Sequence, residues 1–183
     1  MIGMKNISIV PVSGQVSLLI SPSVTLPYLM EIAAKLAMQS QVLILDGGNC
    51  FDGFTLTRTL RTNTSDIQTV LERILLSRIF TCYQMATMLE TCPREQKPLM
   101  VLDILSTFLD ENVKLSIRKQ LFRNCLAHLQ HISQSAPVFI WARYRSSTVI
   151  DDGWLLDTLK DAADAIWHFE TPEPAITQPS LFG

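Results

Sequence analysis

Glycine is scarce in this chain, 7 residues in 183, and none lies between residues 17 and 36. That stretch, SLLISPSVTLPYLMEIAAKL, has the layout of a buried strand, a turn and a helix. A turn that wraps phosphate needs glycines so that backbone N–H groups can converge, and a lysine that reaches the outer phosphates. The turn here reads Ser21-Pro22-Ser23-Val24-Thr25-Leu26-Pro27 and contains neither. Its two prolines remove two more donors. A standard phosphate-binding loop is therefore excluded at this position.

Other shortages narrow the class further. Charged residues are only 17% of the chain against 48% hydrophobic, so disorder is excluded except near the ends. The formal charge of −2 supplies no global field toward nucleic acid, and any such contact would be a local patch. No apolar run approaches the roughly 20 residues of a membrane-spanning helix, and the N-terminus lacks a basic, apolar, small-residue leader. The expectation is a cytoplasmic protein without a membrane. The four cysteines, Cys50, Cys82, Cys92 and Cys125, form no CxxC or Cys/His cluster, so neither a disulfide framework nor a zinc site is expected. His128 and His131 sit three apart on an expected helix, with no further ligands beside them, and read as a solvated helix face.

What is present is alternation. Apolar strands are expected at 5–12, 16–21, 42–45, 76–81, 99–102, 137–141 and 165–169, with helices at 26–39, 54–60, 67–75, 83–91, 112–132 and 154–161. Continuous apolar runs suit strands covered on both faces. The pattern predicts an α/β fold with a mainly parallel central sheet and helices on both faces. In the long helix, Leu115, Ile117, Leu121, Leu126 and Leu129 are expected inward, and Lys114, Arg118, Lys119 and Arg123 outward. The chain divides into one domain, 1–170, and a flexible tail, 171–183, with three prolines and no periodicity.

The order of segments resembles the core ATPase domain of the RecA/RadA recombinases and KaiC-like proteins. LLIS with the helix 26–39 is similar to the strand and helix around that family's phosphate loop. VLILDGGNCFDGFTL, 42–56, resembles the segment in which a strand ending in Asp leads to a loop closed by Phe. ILLSRIFTCYQMATMLE, 74–90, carries the Arg, the aromatic, the polar residue and the Gln of a strand-to-helix junction. LMVLDILSTFL, 99–109, resembles the Walker B strand, and VFIWARYRSS, 138–147, a later strand whose loop approaches DNA. The resemblance implies a RecA-like three-layer fold over nearly the whole chain.

Departures from the pattern fall on the phosphate-handling groups. The loop glycines and lysine are absent. Gly48 stands where the family's catalytic glutamate would be, and Ala142 and Arg143 replace its polar sensor pair. Only Asp103, at the Mg²⁺-binding position, and Asp46 remain as vestiges. A lone carboxylate without a backbone nest holds Mg²⁺–nucleotide poorly. The expectation is an inactive ATPase with no cofactor.

Two other regions suggest partners. The last residues, Gln178-Pro179-Ser180-Leu181-Phe182-Gly183, resemble the short peptide by which bacterial polymerases and repair proteins bind the sliding clamp. In that pattern Gln178 enters a polar pocket while Leu181 and Phe182 fill an apolar cleft. Arg143, Tyr144 and Arg145 lie on the loop that would face DNA, and Lys114 with Arg118 can share one helix flank. The leading expectation is an accessory protein of the bacterial DNA-damage (SOS) response, similar in logic to ImuA-type proteins. Its partners would be the clamp and a RecA-like protein or Y-family polymerase. The alternatives are a divergent nucleotide-binding ATPase and a SulA-like cell-division inhibitor.

Overall fold

A computed structural model describes residues 9–92, 97–144 and 150–169. Among them run six strands: β1 (Val16–Ser21), β2 (Val42–Asp46), β3 (Ile74–Arg78), β4 (Leu99–Leu102), β5 (Val138–Arg143) and β6 (Ala165–His168). Six helices connect or follow them: α1 (Leu26–Gln39), α2 (Gly53–Asn63), α3 (Ile67–Glu72), α4 (Cys82–Glu90), α5 (Leu115–Ser133) and α6 (Ile150–Asp161). The strands form one sheet in the order β3-β2-β4-β5-β1-β6, and every neighbouring pair is parallel. β5 lies between β1 and β4, which sets the strand preceding the proline turn one strand away from the strand preceding Asp103.

The alternation of side chains sorts the core onto two faces. Leu18, Ile20, Leu45, Val101 and Ile140 pack under α4, α5 and α6 with Met85, Phe122, Leu129 and Leu159. Leu19, Ile44, Met100, Phe139 and Trp141 pack on the other face with Leu29, Ala33, Leu56 and Leu60 from α1 and α2. Because both faces are covered, β4 is apolar throughout, β5 is apolar up to Arg143, and β1 carries Leu18, Leu19 and Ile20 in succession between two buried serines. This is a three-layer α/β fold of RecA-like class, as the order of segments led us to expect.

Local chemistry sets the element ends. Pro27 is accommodated in the first turn of α1, where its missing N–H has no intrahelical partner to lose. Asp52 caps α2 by accepting from Phe54 N–H and Thr55 N–H. Thr81 caps α4 by accepting from Gln84 N–H, while Gln84 Oε1 accepts from Phe80 N–H at 2.9 Å. This reciprocal arrangement is close to a capping box, and it accounts locally for the polar residue and the Gln of the 74–90 segment.

Several expectations are corrected. Ile74 and Leu75 continue the apolar spacing of the preceding helix, but they open β3, which runs 74–78 rather than 76–81. The helix stops because Arg73 turns away: its N–H bonds back to Val70 and its guanidinium donates to Met38 O at 3.0 Å at the end of α1. Residues 9–12 are not strand; Ile9 N–H instead meets the Tyr28 hydroxyl at 3.2 Å, and 5–8 lie outside the described residues. The last helix begins at Ile150, not 154. The inward stripe of α5 is Arg118, Phe122, Cys125, Leu126, Leu129, Ile132 and Ser133, while Leu115 and Ile117 are exposed.

Candidate functional site

In open parallel sheets the ligand crevice lies at the carboxyl ends of the strands. Here that edge carries the proline turn after β1, the Asp46–Gly53 loop after β2, Asp103 after β4 and Arg143-Tyr144 at the end of β5. The turn after β1 is closed on itself. Residues Ser23–Thr25 form a 3-10 turn in which Thr25 N–H donates to Pro22 O at 3.1 Å. Leu26 N–H donates to Ser23 O. Of positions 22–27, two have no N–H and two more spend theirs inside the turn.

The side chains tighten the same knot. The Thr25 hydroxyl donates to Pro22 O at 2.9 Å and shares a 2.7 Å hydrogen bond with the Ser21 hydroxyl. The Trp141 indole N–H, reaching across from β5, donates to Ser21 Oγ at 2.8 Å. Trp141, Ser21 and Thr25 are all buried. A phosphate group seated here would have to displace a packed indole and break a chain of three hydrogen bonds.

Asp103 sits at the centre of the edge, with no exposed surface and a left-handed backbone, φ 51°. Its N–H extends the β5 pairing by donating to Trp141 O at 2.7 Å. Its carboxylate accepts from the Ser106 hydroxyl at 2.6 Å, and Arg143 Nε lies 3.2 Å from Oδ2. That approach has ion-pair distance without the alignment of a hydrogen bond, since Nε–H finds no acceptor in line. The Arg143 guanidinium also lies 5.6 Å from the centre of the Trp141 ring. The buried carboxylate is thus held by a hydroxyl and a cation from its own sheet edge.

The two glycines after β2 exist because of Asp103. A Cβ on Gly47 would come within 2.9 Å of Asp103 O. A Cβ on Gly48 would come within 2.7 Å of Asp103 Cβ and 2.9 Å of Oδ2. A side chain at position 48 would run into the Asp103 carboxylate. Gly47 and Gly48 N–H both donate to Leu102 O, which fixes this close approach.

Asp46 is equally occupied. Its buried carboxylate accepts from Cys50 N–H at 3.0 Å and Phe51 N–H at 2.9 Å, and the Cys50 thiol lies 3.4 Å from Oδ1. The side chain folds the loop that follows β2. Burial, then the neighbouring Asp46 charge, push the Cys50 thiol up to about 12, so it stays protonated and unreactive.

The expected DNA-facing residues separate. Tyr144 follows β5, donates its N–H to Ser21 O at 2.8 Å, and packs its ring 5.4 Å from that of His168. Arg145 lies outside the described residues, as do Gln178, Leu181 and Phe182. Lys114 is exposed at the start of α5, but Arg118 is not beside it on the surface. Arg118 is buried, with Nε donating to Val113 O at 3.0 Å and Nη1 to Phe108 O at 3.1 Å. It turns inward because the loop before α5 leaves carbonyls that need donors, and an arginine stem can be buried while its head satisfies them. The proposed Lys114–Arg118 flank therefore does not form.

Two of the cations expected outward on α5 meet an aromatic ring. Lys119 Nζ and Arg123 Cζ lie 5.0 and 5.6 Å from the centre of the Trp154 ring on α6. The i, i+4 spacing of the two cations was the available signal; the aromatic partner comes from another element. Among the described residues no group of three or more His, Cys, Asp or Glu converges as a metal site, and no helix is long and apolar enough to cross a membrane.

Compared with models of known protein families the chain matches none, and no curated protein is similar to it in sequence.

Proposed function

We propose that this chain is a non-catalytic accessory protein built on a RecA-like scaffold, acting in bacterial DNA repair as an adaptor that engages the sliding clamp through Gln178, Leu181 and Phe182. The observation that carries the first half is the closed edge: Ser21, Thr25 and Trp141 bond to one another where phosphates would sit, and Gly48 leaves no room for a general base. Removing one charge-stabilising group typically costs about 10²–10³ in rate, and here the loop lysine, the backbone donors and the glutamate are all missing. What supports the second half is the terminal Gln-x-x-Leu-Phe pattern. A short segment with two apolar anchors is expected to bind at about micromolar strength, on the order of −8 kcal/mol.

Two measurements test this separately. Titration with ATP, with and without Mg²⁺, should leave the melting temperature unchanged. Thermal stabilisation by ATP that disappears in Asp103→Ala would instead establish the divergent-ATPase reading. Purified clamp should retain the full chain and release Leu181→Ala/Phe182→Ala. Equal retention of both would remove the tail from the account.

A further inference from the structure

α5 spans 19 residues, LSIRKQLFRNCLAHLQHIS, without one carboxylate, in a chain whose net charge is −2. With Arg118 buried, its surface charge reduces to Lys119 and Arg123, one helical turn apart, with Lys114 just before the first turn. Lys119 and Arg123 converge on Trp154, a half-buried indole that also meets Phe122 edge-on at 5.9 Å. Like charges at this spacing repel. Among the described residues, no carboxylate lies within ion-pair distance of either cation. Asp151 and Asp152 also lie on α6, ahead of Trp154, with side chains outside those described, and Asp157 is directed to Lys160 at 3.9 Å. Asp161 lies on the last turn of α6, about ten ångströms along the helix from Trp154 at 1.5 Å per residue.

This combination selects its ligand. A polyanion such as DNA gains affinity by neutralising many phosphates, about 6–10 in a typical site. Three cations on a chain of negative net charge fall short of that. Two cations flanking an indole suit a short extended segment with carboxylates about one turn apart and prolines against the ring. Residues 170–174 of this chain, Glu170-Thr171-Pro172-Glu173-Pro174, carry two carboxylates and two prolines, and 170–183 contains no lysine or arginine to oppose them.

The geometry also places the segment's origin correctly. Phe169, the last described residue, leaves β6 at the carboxyl end of the sheet, its N–H donating to Ile20 O at 2.8 Å. α5 begins at that same end, since it follows β4 through the Ile104–Phe108 turn. Glu173 lies four residues beyond Phe169, a reach of about 13 Å extended, comparable with the roughly 10 Å between packed layers. Tethering gives the segment an effective concentration on the order of millimolar, so contacts too weak to hold a free peptide can be populated.

We propose that the Lys119–Arg123–Trp154 face is a docking surface for the chain's own acidic, proline-rich segment 170–174, with Glu170 and Glu173 on the two cations. The proposal is independent of what residues 178–182 bind. In the full chain, carbodiimide coupling should join Lys119 to Glu170 or Glu173 within one molecule. The product should disappear in Glu170→Gln/Glu173→Gln and fall several-fold in about 1 M salt, where the screening length is about 3 Å. Glutamyl endopeptidase should cut after Glu170 or Glu173 several-fold faster in Lys119→Gln/Arg123→Gln than in the parent. No coupling in the parent, coupling indifferent to salt, or equal cleavage rates would each overturn the assignment. So would salt-sensitive binding of an oligothymidylate that is lost in Lys119→Gln/Arg123→Gln, which would make the face a nucleic-acid site instead.

Discussion

Gly48→Ala and Gly153→Ala add the same methyl group and should move stability in opposite directions. At Gly48 the new Cβ would lie 2.7 Å from Asp103 Cβ, an atom fixed to the backbone rather than the end of a flexible chain. Asp103 cannot swing aside cheaply. Its left-handed backbone is pinned by the 2.7 Å bond to Trp141 O, and its carboxylate by Ser106 and Arg143. Overpacking of this kind costs about 1–3 kcal/mol. The reduced freedom of the unfolded chain returns about 0.4–1 kcal/mol. The net is a loss of about 1–2 kcal/mol, or roughly 2–8 °C in melting temperature for a domain of this size. At Gly153, inside α6, a Cβ meets nothing within 4 Å. There the entropic gain and better helix propensity act unopposed, for a stabilisation of about 0.4–1 kcal/mol. Urea melts of the two variants beside the parent read both signs. A Gly48→Ala protein as stable as the parent would refute the claim that Asp103 leaves no room for a side chain at position 48.

Three further outcomes follow from the same geometry. Arg118→Met should destabilise by about 2–3 kcal/mol, because it strips charged donors from Phe108 O and Val113 O; a neutral result in denaturant melts would return Arg118 to the surface. Burial pushes the thiols of Cys50 and Cys125 up to about 12, so neither should react with iodoacetamide at pH 8 until the chain unfolds; rapid native labelling mapped to either residue would contradict their packing. Asp52, capping α2, has its carboxyl held below the usual carboxylate range by hydrogen bonds from Thr55 and Phe54. Its contribution to stability should therefore be fully present above the unfolded-state value and fade as pH falls through the lower folded one; an acid limb unchanged in Asp52→Asn would remove the cap from the account.

Some of the site was legible in one dimension. The absence of glycine and lysine from Ser21–Pro27 could be read directly, because a phosphate nest depends on residue types at fixed spacing. Asp46 and Asp103 were visible as strand-terminal acids. Their employment was not: Asp46 folds its own loop, and Asp103 is held by Ser106 and by Arg143 from a strand 40 residues later. Arg118 was misjudged because helical spacing reports which residues share a face, and the carbonyls of Phe108 and Val113 decided that this face turns inward. Ile74 and Leu75 were misjudged because short apolar spacing is compatible with both helix and strand; pairing with Val42 and Leu43 chose strand.

The amino-acid sequence by itself determined the alternation of strands and helices, the parallel sheet covered on both faces and the absence of phosphate-loop donors after β1, since each depends on local residue chemistry and short-range periodicity. Tertiary structure alone decided which side chains meet: the Trp141 indole on Ser21, the Asp103 carboxylate against Gly48 and the Lys119 and Arg123 cations over the Trp154 ring join groups far apart in the chain. Contacts of that kind arise from how the layers pack, which no residue and its immediate neighbours can specify.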